Sequence, residues 1–480
     1  MKMMIGSEFV SASSGDTIPV INPYNGNLIE RIPHAGPEDV DRAIQYAADA
    51  QKLWKNVPVF KRVERAMAFV ELVKKHKEEL AETLTLESGK NITESRNEIN
   101  NIFTSWPAFC EKAKHLYGSV IPNGMERGHE NNIVLTRHEP VGIVACIIPF
   151  NFPCNLFSQK TAPALLSGNA VIIKPASDNP LTVCKLAALL LEAGFPSGVV
   201  QVVTGPGSST GNYLCSHPEV HAISLTGSSS VGISVARSAA DTLKKVALEL
   251  GGNDAFIVLE DADLDLAVRE AVQARFYNAG QICCAPKRFL IHRSLYATFL
   301  DEAVKQTSAL QAGDPIEAQT QVSTLISEKA ALEVKKQIQL TIEQGAELLL
   351  GGDRTGAFIS PTILAHVPAN ADIMHNMEVF GPVMPVSPFD TEEEAIRLAN
   401  DSIYGLGGSV FTNNLAKASR FTDELECGCV VVNGSSYFRS FEMPFGGWKQ
   451  SGLGTEGVFS TFDELTNIKC IALKGITSIH

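Results

Sequence analysis

The sequence predicts an α/β protein built as two parallel-sheet units with a small β arm beside them. Three observations lead there. Between Val141 and Gly252, apolar strand-like runs alternate with helical stretches at the spacing of βαβ units. A second run of the same kind opens at Asn253 with AFIVL. Before the first strand, Pro, Asn and Gly surround two short apolar runs over 118–138, the pattern of a hairpin or extended arm. A chain of 480 residues also exceeds what one core normally organises, so two or three domains are expected.

In chain order, INPYNGNLIERIP supplies strand and turn signals. Pro37 then opens a helix with Val40, Ala43, Ile44, Ala47 and Trp54 near helical spacing. Glu38, Asp39 and Asp41 suit its positive end. A second helix is expected over 61–80, with Val63, Met67, Val70 and Val73 on its apolar side, and a third from Gly89 toward Trp106. After the arm come the strand VGIVACIIPF, a helix over 158–167, the strand AVIIKPA and a helix over 181–193. VVQVVTG, a helix after Gly211, AISLTG and VALELGG complete a parallel sheet covered on both faces. The second unit holds helices over 295–311 and 328–344 and strands at 348–350 and 383–386. The closing TNIKCIALKGI reads as a strand that must pair somewhere, and with the arm it points to oligomerisation through a shared sheet.

Composition narrows the function. A net charge of −13 gives no average field that would draw nucleic acid or an anionic membrane. The longest apolar run, near 141–150, is about half what a bilayer span needs. The first residues lack the continuous apolar segment of a secretory signal. Ten cysteines, mostly single and without a CxxC pair, suggest reduced thiols with neither a disulfide framework nor a metal site. A cytoplasmic protein is expected.

Several residue types then stand out as chemistry. Cys283 and Cys284 follow Gly280-Gln281 in NAGQICCAPKR, where charge is absent until Lys287 and Arg288. A thiolate is a strong nucleophile, but a buried structural thiol is the competing reading. GPGSSTG, Gly205 to Gly211, follows a strand but is one residue longer than a dinucleotide fingerprint. Gly227 to Gly232 follows another strand and opens a helix, a place suited to phosphate. Two such turns on neighbouring strands of one sheet favour a nucleotide over ordinary βα turns. Lys174 ends an apolar strand at the carboxyl edge, where doubly wound sheets bind ligands. Glu249 is an acid inside the apolar VALELGG, a general base or a strand-end ion pair. Asn151 lies among aromatics and prolines after a buried strand, as an oxyanion donor or a turn residue.

Together these pieces resemble the aldehyde dehydrogenase superfamily over essentially the whole chain, from INPYNG to MPFGGWKQSGLGTEG. The matching stretches are PFNFP (149–153), KPAS (174–177), LTGSSSVG (225–232), ELGG (249–252), GQICCA (280–285), EVFGPV (378–383), YGL (404–406) and PFGGWKQSG (444–452). Eight motifs in the family's order are far more specific than any one. The resemblance implies a Rossmann-like cofactor domain of 1–117 and 139–251 and an α/β catalytic domain of 252–440. It further implies an oligomerisation part of 118–138 and 466–480, in a homodimer or homotetramer.

The resemblance also implies roles. Cys283, fourth in G-Q-x-C, becomes the nucleophile, Asn151 the oxyanion donor with the Cys283 backbone N–H, and Glu249 the residue that activates water. Lys174 and Ser177 face the adenosine ribose of NAD or NADP. Gly207, Gly211, Gly227, Ser228 and Val231 line the adenine and pyrophosphate region, with Pro149 also on the cofactor side. Glu378 holds the nicotinamide ribose and Phe380 lies beside the nicotinamide. The implied reaction passes from a Cys283 thiohemiacetal through a thioester that water hydrolyses.

Some positions depart from the family's usual residues. Ser177 replaces a frequent glutamate whose carboxylate would repel a 2′-phosphate, so NADP use, alone or beside NAD, is expected. Phe150 replaces a frequent tryptophan and Leu225 a frequent phenylalanine, both read as neutral. NGSSYFRSFEMPFGG resembles branches acting on small hydroxy- or acid-bearing aldehydes, in which Arg439 would anchor a substrate anion. Its competing reading is a loop arginine paired with a carboxylate. Gln159, where some semialdehyde enzymes carry arginine, speaks against a dicarboxylate-like substrate. A CoA-acylating enzyme is the alternative that Glu249 disfavours, and a non-catalytic scaffold the one that Cys283, Glu249 and Asn151 disfavour.

Overall fold

A computed structural model describes residues 1–476. Two twisted sheets, each wrapped by helices, meet along the segment 250–253. The first has a parallel centre ordered in space Val200–Val202, Ala170–Lys174, Ile143–Ile147, Ala222–Thr226, Lys245–Glu249. In chain order that is third, second, first, fourth, fifth, the arrangement of a dinucleotide-binding sheet. The order reverses between Ile143–Ile147 and Ala222–Thr226, and the crevice beyond their carboxyl ends is where such sheets hold ligands. The two glycine turns therefore do not leave neighbouring strands. Val200–Val202 and Ala222–Thr226 are separated by two others, because each crossover returns the chain beyond its predecessor.

The edges of this sheet come from distant parts of the chain. Met3–Ile5 pairs antiparallel with Glu8–Val10 and with Val200–Val202, and Gly452–Leu453 pairs antiparallel with Lys245–Glu249. The strands are apolar throughout because both faces are buried.

The second sheet runs Glu347–Leu350, Thr362–Ala365, Val383–Phe389, Pro286–His292, Asp254–Val258, Gly407–Phe411, Cys429–Val432. All its pairs are parallel except the first. Phe256 anchors the core, its ring 5.2 Å from that of Phe289 and 4.5 Å from that of Phe411. Burying each such side chain is worth about 1.5–3 kcal/mol. A third, three-stranded sheet joins the arm to the chain end: Thr466–Leu473 lies antiparallel along Ile133–Pro140, which pairs on its other side with Val120–Ile121. Residues 477–480 of the expected oligomerisation part lie outside the described residues.

The N-terminal helices differ from expectation. The stretch expected as one helix over 61–80 is two, Val59–Lys75 and Lys77–Ser88, broken where His76 leaves helical geometry at φ −100° and ψ 12°. The buried side of the first is Val63, Ala66, Phe69, Val70 and Val73, whereas Met67 is 36% exposed. The third helix spans Ile92–Lys114. The helix expected from Ser158 begins earlier, at Pro153, whose fixed φ suits a first helical position. Helices Leu264–Phe276, Glu392–Asn400 and Leu415–Glu424 complete the second unit and were not expected from the sequence.

Candidate active site

The site forms where the carboxyl end of the first sheet faces the loop entering the central strand of the second. Glu249 is the last residue of its strand, paired with Thr226 on one side and Gly452 on the other. Its backbone carbonyl accepts the Gly227 N–H at 3.0 Å. Its side chain is buried and Oε2 has no hydrogen-bond partner. Burial pushes its carboxyl well above the usual range, and nearby Glu456 adds to this, against Arg439 and Lys160. A carboxyl in that state takes up a proton readily once ionised.

Cys283 sits on a loop held in a costly shape. Asn278 and Ala279 both adopt left-handed backbone (φ 50° and 49°), followed by Gly280 at φ 75°. Side chains at such angles cost about 1–2 kcal/mol per residue, so the surroundings must impose the turn. The Glu94 carboxylate accepts the Asn278 N–H at 3.1 Å, and the Asn278 amide donates to the carbonyls of Asn151 at 3.0 Å and Gln281 at 3.3 Å. Gln281 in turn accepts the Ile326 N–H at 2.9 Å. At Gly280 a Cβ would lie 2.2 Å from the Gly381 carbonyl oxygen, so no side chain fits.

The two thiols are not equivalent. Both line a cavity of about 400 Å³, but Cys283 is half-buried, while Cys284 is buried and its carbonyl accepts the Ser436 hydroxyl at 2.8 Å. The hydrogen bond from the Cys284 thiol holds the Cys283 thiol below its usual value, with Lys287 and Arg439 adding to it. The same bond pushes Cys284 up. An accessible thiol with a lowered pKa is the reactive kind.

Asn151 lines the same cavity. Its carbonyl is clamped by Lys90 Nζ at 2.8 Å as well as by Asn278. Lys90 pairs with Glu98 in the interior, and Glu98 Oε1 accepts the N–H groups of Cys154 at 2.8 Å and Asn155 at 3.2 Å. One buried ion pair thus caps the helix Pro153–Leu166 and fixes the Asn151 loop.

Of the residues expected at a cofactor, Pro149, Lys174, Ser177, Gly207, Gly211, Gly227, Ser228 and Val231 lie at or beyond the carboxyl ends of first-sheet strands, and Glu378 and Phe380 precede the strand Val383–Phe389 of the second. Lys174 is buried and spends one donor, on the Pro175 carbonyl at 3.1 Å; burial pulls its ammonium down to about 8. Ser177 donates to the Gly205 carbonyl at 2.9 Å. The turn Gly207–Gly211 leads into a helix of only five residues, Asn212–Ser216. Ser228 caps the helix Ser229–Ala240 by accepting the Val231 N–H, and Val231 is exposed. Pro149 and Phe150 follow the first strand, and the Phe150 ring meets that of Phe380 edge-on at 5.9 Å. Glu378 accepts the Gly252 N–H at 3.1 Å and lies 3.3 Å from Lys287. A Cβ on Gly251, the first glycine of ELGG, would come within 2.3 Å of Glu378 Oε2 and push that carboxylate aside.

Arg439 lines the cavity beside Cys283. Its guanidinium lies over the Phe445 ring at 3.9 Å and 3.7 Å from Glu456, whose other oxygen accepts Lys160 at 2.5 Å. Nε and Nη2 of Arg439 have no hydrogen-bond partner. Gln159 is fully buried with its amide unpartnered, and it does not line the cavity beside Cys283. Sequence reasoning missed Lys90, Glu98, Asn278, Lys160 and Glu456, whose roles depend on partners far away in the chain. It noticed Lys287 only as the end of a neutral stretch.

Comparison with known proteins gives the family. The model of the aldehyde dehydrogenase family matches residues 9–471. The chain is 38% identical to a 3-sulfolactaldehyde dehydrogenase of Pseudomonas putida, covering 98% of this chain and 96% of that protein. It is 37% identical to a lactaldehyde dehydrogenase of Methanococcus vannielii, over 95% and 97%. The crystal structure of an NADP-dependent enzyme of E. coli superposes with a TM-score of 0.95 at 36% identity, covering 98% of both chains. The chain belongs to the aldehyde dehydrogenase family and is an NAD(P)-dependent aldehyde dehydrogenase.

Proposed function

We propose that the protein oxidises a small hydroxy- or acid-bearing aldehyde to its carboxylate, with Cys283 as nucleophile, Asn151 as oxyanion donor and Glu249 as general base. The observation that carries this reading is the cavity that joins the acidified Cys283 thiol, Asn151 and Arg439. Cys283 attacks the carbonyl carbon, and the resulting oxyanion takes hydrogen bonds from the Asn151 amide and the Cys283 N–H. A bound NAD or NADP supplies the hydride acceptor. Glu249 then draws a proton from water, which releases the acyl group from Cys283 as a carboxylate.

The crevice residues fit a dinucleotide. Lys174 has spare donors in a buried place, Thr226 has an unpartnered buried hydroxyl beside Gly227, and Ser228 opens a twelve-residue helix whose N-terminus suits phosphate. Lys174 and Ser177 would hold the adenosine ribose, Gly207, Gly211, Gly227, Ser228, Val231 and Pro149 the adenine and pyrophosphate side, Glu378 the nicotinamide ribose, and Phe380 the nicotinamide edge. We take 1–117 and 139–251 as the cofactor domain, 252–440 as the catalytic domain, and 118–138 with 466–480 as the oligomerisation part of a homodimer or homotetramer. Ten free cysteines fit a reducing compartment, and we place the protein in the cytoplasm. Among the described residues no helix is long and apolar enough to cross a membrane.

The Arg439 guanidinium on the cavity wall, paired with Glu456 only at 3.7 Å and with Nε and Nη2 free of hydrogen bonds, supports an anionic substituent on the substrate, as in the aldehyde named for the Pseudomonas putida relative. Asn101, Asn155, Gln273 and Ser435 on the same wall suit a hydroxyl, as in lactaldehyde. A panel of short aldehydes, with and without hydroxyl and anionic groups, assayed with both cofactors by NAD(P)H absorbance tests the reading. Cys283→Ala should lose activity by on the order of 10³-fold or more; full steady-state activity in that variant would sink the assignment.

A further inference from the structure

Lys287 stands where the nucleophile loop and the cofactor crevice meet, and no step above uses it. It follows Cys283 by four residues, at the start of the strand Pro286–His292, and its side chain is 1% exposed. An ammonium that far from water must be paired. Its Nζ donates to the Cys283 carbonyl at 2.5 Å, stands 3.3 Å from Glu378 Oε1, and lies 6.0 Å from the centre of the Phe380 ring. One cation therefore touches both the backbone of the thiol-bearing residue and the carboxylate assigned to the nicotinamide ribose. That carboxylate is held in place by the Gly252 N–H at 3.1 Å.

We propose that Lys287 is a positioning residue that couples the cofactor crevice to the nucleophile: it fixes the Cys283 carbonyl, and the share of its charge that Glu378 neutralises sets the reactivity of the thiol. The proposal rests on the roles given above to Cys283 and Glu378. The groups facing the thiol are Cys284, Lys287, Arg439, Asp254 and Glu249. Of the two cations, Arg439 is directed to Glu456, and Lys287 alone reaches a group of the crevice. A ribose hydroxyl donating to Glu378 competes with Lys287 for that carboxylate and leaves more of the ammonium's field on the thiol. Removing the carboxylate does the same permanently.

Two substitutions should therefore act with opposite sign, which loosening of the loop would not produce. The measurement is the pH dependence of Cys283 alkylation by iodoacetamide in cofactor-free enzyme, with the modified residue identified by mass spectrometry. Lys287→Met should move the midpoint upward by about one pH unit, slowing alkylation at pH 7 roughly tenfold, and Lys287→Arg should restore most of it. Glu378→Gln should move the midpoint downward, and NADP should do so in the wild type but not in Lys287→Met. An unchanged midpoint in Lys287→Met, or shifts of the same sign in both variants, overturns the coupling. If Lys287→Met fails to fold, the Glu378→Gln and NADP arms decide alone, and an upward or absent shift in either overturns it. Failure of the underlying assignment looks different: alkylated Cys283 with aldehyde oxidation intact removes it as nucleophile, whatever Lys287 does.

Discussion

Glu249 shows how one position sets a pH profile. Its carboxyl is raised by burial first and by Glu456 second, and in the proposed role of base it must be unprotonated to accept a proton from water. The raised value therefore moves the ascending limb of the deacylation rate toward higher pH. Glu249→Gln should keep the rapid first turnover of NAD(P)H, lose steady-state rate, and remove that ascending limb; a stopped-flow trace without a burst contradicts the role. Ser177 bears on cofactor choice in the same local way. Its hydroxyl serves the Gly205 carbonyl, and no carboxylate occupies its position to repel a 2′-phosphate. Ser177→Glu should lower kcat/KM for NADP about a hundredfold (about 2.7 kcal/mol) relative to NAD. A wild-type enzyme that already prefers NAD a hundredfold would refute the expectation from which this follows.

Among elements, the joint between the helices Ile92–Lys114 and Pro153–Leu166 carries the most consequence. Glu98 on the first accepts Lys90 and the two N–H groups that open the second. Glu98→Ala leaves a buried ammonium unpaired and a helix end uncapped, and should cost about 3–5 kcal/mol, read as a lower urea midpoint. A loss within experimental error would show that water reaches Lys90. Nothing in the sequence announced this joint, since Lys90, Glu98 and Cys154 carry no local signal for one another. The strands were legible for the opposite reason: runs such as AVIIK are apolar at every position because both faces are covered. Gly407–Phe411 was missed because two of its five residues are glycines, and the break at His76 because a single residue interrupts an otherwise continuous pattern. Cys283, Glu249 and Asn151 were legible through motifs. Asn278 was not, although it lies in the same motif, because its work is done by a left-handed backbone and by partners outside the loop.

At the scale of the molecule, the arm and the chain end share one small sheet that leaves Val120 72% and Ile468 70% exposed. Those side chains are the surface proposed to meet other copies. Ending the chain after Leu465 should lower the mass measured by light scattering in solution, and an unchanged mass would separate the arm from assembly. A different consequence follows from the short strand Gly452–Leu453, which closes the first sheet beside Glu249. The strands at the centre of that sheet are complete by residue 249, but their last partner begins only at residue 452, after the whole second sheet. Domains fold as they leave the ribosome, N-terminal parts first. The dinucleotide half can therefore form early, while the edge carrying Glu249 stays open until the second sheet has been made. The thiol loop, also made before that closing strand, is then present before Glu249, the proposed base, is enclosed, so the candidate site is completed only after both sheets have been made.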